Sequence, residues 1–299
     1  MAKDQTQYQA WDRNTRMPAP PPPSGSCDCQ FHIYDNPQKF PTRPNPPYPP
    51  PDATFADARK MHRALGFGRG VIVHSAIYGS DHRLLLHALE GLPEEQRRNY
   101  RGIGIVDHSV SDRELERLDA AGVCGARFNF VRFLTLDQRT DEVRRSMDRI
   151  RALGWHARLH VHGADLLENS ALLRSIRDIP MVIDHFGHVG FEAGLDAPAC
   201  RWVLDMLKNE NWWMMVSNGN RDSKMDRGWD DAIPFGKAFI EAAPDRTVWG
   251  TDWPHPQWPK RMMNDAEEVE LLYRYVDNDT TLLRKILVDN PVRLHGFAD

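Results

Sequence analysis

The sequence predicts a single (β/α)8 barrel, and three observations predict it. From about residue 27 onward, short apolar runs of strand length alternate with longer segments of helical periodicity. The runs are continuously apolar rather than alternating, as expected of parallel strands covered on both faces. No glycine-rich turn follows the first run, which separates the pattern from a dinucleotide-binding sheet. A length of 299 residues suits one such barrel.

Proline is concentrated over residues 18–23 and 37–51, where a missing backbone donor excludes helix interior and central strand. Residues 1–25 are therefore expected to form an extended N-terminal arm, and residues 26–299 a single barrel domain carrying a second proline-rich loop. The first strand falls at 27–33, followed by a helix at 55–65, a strand at 70–74, a helix at 81–89 and a strand at 100–106. The alternation continues with a helix at 112–120, a strand at 125–128, a helix at 141–153, a strand at 157–161 and a helix at 166–176. Strands at 181–184, 213–216 and 248–250 complete eight, separated by helices at 198–208 and near 230–241, and two helices close the chain.

With 38 basic and 42 acidic residues the net charge is −4, so composition points to a small-molecule ligand and to neither nucleic acid nor a membrane surface. No apolar run reaches the length of a membrane span, and the first 16 residues lack a signal-peptide core, which predicts a cytoplasmic protein. Four cysteines do not suggest a disulfide framework, and Cys27 and Cys29, either side of Asp28, read as buried apolar filler. Oligomeric state stays open, a homo-oligomer included.

In a barrel, side chains at the C-terminal strand ends converge on one mouth. That rule gathers Gln30 and His32 after the first strand, Tyr78 after the second, Arg127 and Arg132 after the fourth, and His160 on the fifth. It adds His185 after the sixth, Arg221 after the seventh and Asp252 after the eighth. Thirteen histidines make chance hits at strand ends common, so His32 and His185 gain weight from sharing those ends with Asp252, which sits in the frame Trp249-Gly-Thr-Asp-Trp-Pro-His-Pro256.

These motifs carry a resemblance. Cys27-Asp-Cys-Gln-Phe-His32, Gly125-Ala-Arg-Phe-Asn-Phe130, Val182-Ile-Asp-His-Phe-Gly187, the Asp252 frame and the closing Asp289-Asn-Pro-Val-Arg-Leu294 resemble the amidohydrolase superfamily, and within it the 2-pyrone-4,6-dicarboxylate lactonase group. The resemblance runs from about residue 26 to 295 and implies hydrolysis of a lactone ester in aromatic compound breakdown. It makes Asp252 the base that takes a proton from water and passes it to the leaving oxygen. His32 and His185 polarise the carbonyl, with Gln30 standing where the group has a histidine. Arg127, Arg132 and Arg221 hold substrate anions together with Tyr48 of the proline-rich loop.

Physical chemistry supports these assignments. A carboxylate enclosed by Trp249 and Trp253 is expected to be raised by desolvation and so become a better proton acceptor. Imidazoles and the Gln30 amide can donate to a developing oxyanion, and arginine forks pair with carboxylate or sulfonate oxygens. Glutamine is a poor zinc ligand, which argues against two metals, but His160 stands where the resembled lactonases carry a tyrosine. Two expectations stay open: no required cofactor, with His160 bonding a substrate anion, or one zinc held by His32, His160 and Asp252. Gln30 and His160 also tilt the substrate toward 4-sulfomuconolactone over the pyrone dicarboxylate. Competing functions are a metal-dependent decarboxylase, a sugar-acid lactone isomerase and a non-catalytic anion-binding barrel.

Overall fold

The structure, a computed structural model, describes residues 8–131, 140–258 and 260–298. Eight strands pair in parallel in the order of the sequence: β1 (Cys27–Phe31), β2 (Arg69–Val73), β3 (Tyr100–Gly104), β4 (Val123–Asn129), β5 (His156–His160), β6 (Met181–Ile183), β7 (Trp212–Met215) and β8 (Thr247–Val248). Closure comes from the segment after β8. Cys29 donates to the Trp249 carbonyl at 3.0 Å, Asp252 to Gln30 at 2.8 Å and His32 to Trp253 at 2.7 Å. These bonds satisfy the edge of β1 and make the barrel that the alternation predicts.

The strands form because each supplies apolar side chains to both faces. Within β2, Val71 and Val73 join the inner cluster with Cys27, Cys29, Ile103 and Val182, while Ile72 faces the outer shell of helices. Cys27 and Cys29 are fully buried free thiols, in keeping with their reading as filler. Local signals set the helices as well. Thr54 and Asp57 close a reciprocal capping box at the start of helix Phe55–Leu65, and Gly66 ends it at φ 83°.

Some bounds differ from expectation for local reasons. The helix expected over 166–176 is two, Gly163–Glu168 and Ser170–Ser175, parted at Asn169. The segment near 230–241 opens as a 3-10 turn over Asp230–Ala232 before helix Ile233–Ala242, which carries Pro234 in its first turn. β8 is shorter than expected because the chain leaves it at Gly250 to lie against Gln30.

Before β1 the chain reaches the far end of the sequence: Arg16 pairs with Glu270 at 2.6 Å, and the Trp11 ring meets Trp253 edge-on at 4.9 Å. The second proline-rich stretch lies along the end of β2, with Arg43 donating to the Ile77 carbonyl at 2.8 Å. Among the described residues no helix is long and apolar enough to cross a membrane.

Closure yields the first prediction. A Cβ at Gly250 would lie 2.5 Å from the Gln30 backbone nitrogen, so Gly250→Ala should destabilise by about 1–3 kcal/mol, as overpacking does. A thermal melt checks this, and an unchanged Tm would contradict the closure described.

Candidate active site

The barrel mouth is organised around Asp252. Its backbone takes φ 59°, a left-handed conformation that aspartate tolerates better than bulky residues, and its N–H is held by the Gln30 carbonyl. The side chain is 8% exposed and surrounded by potential donors. Around Oδ1 stand His32 Nε2 at 3.3 Å, Gln30 Nε2 at 3.4 Å and His185 Nε2 at 3.6 Å. Oδ2 accepts from Asn218 Nδ2 at 2.8 Å and lies 3.8 Å from the Arg221 guanidinium.

Each neighbour is oriented from behind. His32 Nδ1 is 2.7 Å from the Val73 carbonyl, which can only accept, so Nδ1 carries a proton, and Nε2, facing Asp252, is a donor in the doubly protonated ring. His185 Nδ1 lies 2.8 Å from Ser217 Oγ, a hydroxyl that can serve either tautomer. The Gln30 amide is fixed by Arg158, whose Nη2 donates to its oxygen at 2.5 Å and so turns the NH2 group toward Asp252. Arg158 is fully buried, donates from Nε to Asp184 at 2.6 Å and reaches the Cys29 carbonyl at 3.1 Å. It was not anticipated from the sequence. The period-2 spacing of His156, Arg158 and His160 along one strand was the available signal, since it places all three on the inner face.

The anion-binding candidates are distributed around this core. Arg127 is buried, its Nε 3.4 Å from Asp184 Oδ2 but without a hydrogen bond. Arg221 donates to the Pro256 carbonyl at 3.2 Å and lies over the Trp258 ring at 5.0 Å. Arg132 lies outside the described residues. Tyr48 shares hydrogen bonds with Ser75 Oγ at 2.9 Å and Tyr34 at 3.1 Å. Tyr78 packs beside Tyr34 and His74, ring centroids 6.3 and 5.8 Å away. Burial pushes its phenol up to about 12.

His160 donates from Nδ1 to Asn129 at 3.2 Å, and its ring is 5.9 Å from His185 and 5.8 Å from His188. His188, also missed in the sequence, places Nδ1 2.8 and 2.9 Å from the two oxygens of Asp222, a dyad at the rim between the sixth and seventh strand ends. Three consecutive residues before it, His185, Phe186 and Gly187, all have positive φ. That turn brings two histidines three positions apart against the same mouth.

Electrostatics overturns one expectation. Burial acts to raise Asp252, but His185, His32 and Arg221 outweigh it, and the carboxyl is held well below its usual range. Burial holds His185 itself well below its usual value, and the hydrogen bond from Asn218 to Oδ2 favours the anion as well. The tryptophans do not enclose the carboxylate as expected: Trp249 stacks on Phe67 at 5.7 Å and Trp253 meets Trp11. His160 is likewise pushed well below its usual value, by burial first and then by Arg127.

The donor set fits a divalent metal poorly. Among the described residues, His32, His160 and Asp252 do not form a group whose ligand atoms all lie within 4.8 Å of one another. His160 is turned toward Asn129, and the one ligating atom of Gln30, its oxygen, is taken by Arg158.

Residues 27–297 match the model of a family described as amidohydrolase. The chain is 32% identical over 294 residues to a protein of Comamonas testosteroni named 2-pyrone-4,6-dicarboxylate hydrolase, spanning 95% of this chain and 94% of that one. It is 35% identical over 281 residues to a 4-sulfomuconolactone hydrolase of Rhizobium radiobacter, spanning 92% and 91%. A crystal structure of an Agrobacterium tumefaciens protein superposes with a TM-score of 0.82 at 26% identity, over 94% of this chain and 99% of the other.

The low-lying Asp252 carboxyl sets the prediction here. A carboxyl depressed in the folded state adds stability above its unfolded pKa of about 3.9, and that stability is lost as pH falls through the folded value. Carbon-13 NMR titration should place its midpoint below that figure. Asn218→Ala removes the 2.8 Å donor and should move the midpoint upward; an unmoved midpoint would refute the stated cause.

Proposed function

The chain belongs to the amidohydrolase family, and from that premise we propose that it hydrolyses the ring ester of an anionic lactone formed during aromatic compound breakdown. The observation that carries the reading is the single carboxylate at the end of β8 faced by Gln30, His32 and His185, with buried arginine beside them. Relatives at 32% and 35% identity bear lactone hydrolase names, which supports a cyclic carboxylic ester as the bond broken.

In the free protein Asp252 is a weak base because its donors stabilise the anion. An entering anionic lactone competes for those donors: its carbonyl oxygen takes the place beside His32, His185 and the Gln30 NH2 group, and its anionic groups engage Arg127 and Arg221. Arg132, which the resemblance places in the same clamp, is assigned with them. Loss of donors and the approach of a like charge both raise Asp252, so base strength appears when substrate is bound. Asp252 then takes a proton as the water oxygen bonds to the carbonyl carbon, and the donors steady the oxyanion. Collapse breaks the ring C–O bond, Asp252 returns the proton to the leaving oxygen, and the new carboxylic acid releases one proton to solvent.

His160, oriented by Asn129 and beside His188, faces the distal anion, whose charge favours the doubly protonated ring so that Nε2 donates to it. Its place there, with Gln30, favours a sulfonated lactone over a pyrone dicarboxylate. Tyr48 closes over the ring from the proline-rich loop, held by Ser75.

Asp252→Asn should abolish turnover while a non-hydrolysable dicarboxylate still binds, at least as tightly because a competing like charge is gone; turnover at the normal rate would end the mechanism. His185→Ala is expected to lower kcat by roughly two to three orders of magnitude, the scale of one lost oxyanion donor. Arg127→Met should instead raise KM for every anionic lactone, and an unchanged KM would remove it from the clamp.

A further inference from the structure

At the N-terminal ends of the strands, opposite the mouth, three side chains that the reaction does not use come together. Cys124 lies near the start of β4, His156 opens β5, and His295 ends the last helix, Asn290–His295. One ligand atom from each can be chosen so that all lie within 4.8 Å of one another. Cys124 Sγ is 3.6 Å from His295 Nδ1, and the two imidazole rings are 5.0 Å apart at 63°.

Two further observations point to a ligand. Nε2 of His156 is buried without a hydrogen-bond partner, although the residue is only 2% exposed, and His295 turns its Nδ1 toward Cys124. Native interiors leave few such atoms unsatisfied. Room for the ring of His156 exists because the neighbouring strand carries Gly125, where a Cβ would lie 2.9 Å from His156 Nε2. The third residue is held in place from outside, since Arg101 donates to the carbonyls of His295 and Gly296 at 3.2 and 2.7 Å.

We propose that Cys124, His156 and His295 bind one thiophilic d10 cation of the zinc(II) class at the floor of the barrel, remote from the catalytic mouth. A thiolate and two imidazoles are the ligand types such an ion prefers. A tetrahedral zinc with usual bond lengths sets its sulfur and nitrogen ligands about 3.5 Å apart, close to the Sγ–Nδ1 separation of 3.6 Å. The Arg158 guanidinium on the same strand does not exclude the ion, because Asp184 already neutralises it. Access comes from the underside. A groove of about 540 Å³ lined by Leu89, Arg98, Arg101, Gly122 and Cys124 opens there, and water entering by it completes the coordination. Bound, the ion fastens the C-terminal helix to β4 and β5.

The test uses the full-length protein, stripped with a chelator and titrated with cobalt(II). One equivalent should produce a thiolate-to-cobalt charge-transfer band in the near ultraviolet, and one equivalent of zinc should erase it. Cobalt at histidine and carboxylate groups elsewhere, including His255, Asp265 and Glu268, gives no such band. Cys124→Ser should lose the band and weaken zinc binding by at least about 100-fold, the upper range for losing even an outer partner of a metal ligand. Cys29→Ala should keep it, which separates this site from the Cys27–Cys29 thiol pair. No near-ultraviolet band in the wild-type protein, or a band that survives Cys124→Ser, overturns the proposal. The wild-type titration decides even if the variants fold poorly.

Discussion

The buried pair between Arg158 and Asp184 is the constraint on which the mouth depends. A guanidinium at the centre of a barrel is tolerable only if its charge is paired and its donors are used. Here Asp184 supplies the charge from the end of β6, while Gln30 and the Cys29 carbonyl take donors across the barrel on β1. Three strands are thereby locked at one level. Breaking such a pair by removing one partner costs about 3–5 kcal/mol, because the other charge stays buried.

That lock dictates the chemistry above it. With its oxygen held by Arg158, Gln30 offers only N–H groups to Asp252, so the position reads as a hydrogen-bond donor and not as a metal ligand. Val73 commits Nδ1 of His32 in the same way and leaves Nε2 for the mouth. The result is a carboxylate stabilised from several sides. In the proposed mechanism specificity and base strength both follow from one competition for donors, in which an anionic ligand draws Arg221 and the amides away from Asp252.

How much of this was legible in the sequence varies with the physics behind each feature. The strands and the order of their ends could be read because apolar runs and helical periods are local signals, and the eight strand ends carried Gln30, His32, His160, His185 and Asp252 to one mouth. Arg158 could not be read with the same ease: a lone arginine in a polar-looking run resembles surface, and only the inward register of His156, Arg158 and His160 betrays it. The His188–Asp222 dyad joins residues 34 positions apart through a turn of positive φ that no periodicity announces. The raised carboxyl expected from Trp249 and Trp253 failed because proximity in sequence did not mean enclosure. Both rings turn to Phe67 and Trp11, and Asn218 and Arg221 hold the other oxygen of Asp252.

The central claim is that an anionic lactone is opened by water under Asp252. Proton release followed with a pH indicator tests it most directly, on the purified protein and a panel of 2-pyrone-4,6-dicarboxylate, 4-sulfomuconolactone, muconolactone and sugar-acid lactones. The account predicts one proton per ring opened for the lactones bearing two anionic groups, with 4-sulfomuconolactone turned over fastest. Silence across the panel, or consumption of a lactone without a proton, would contradict hydrolysis.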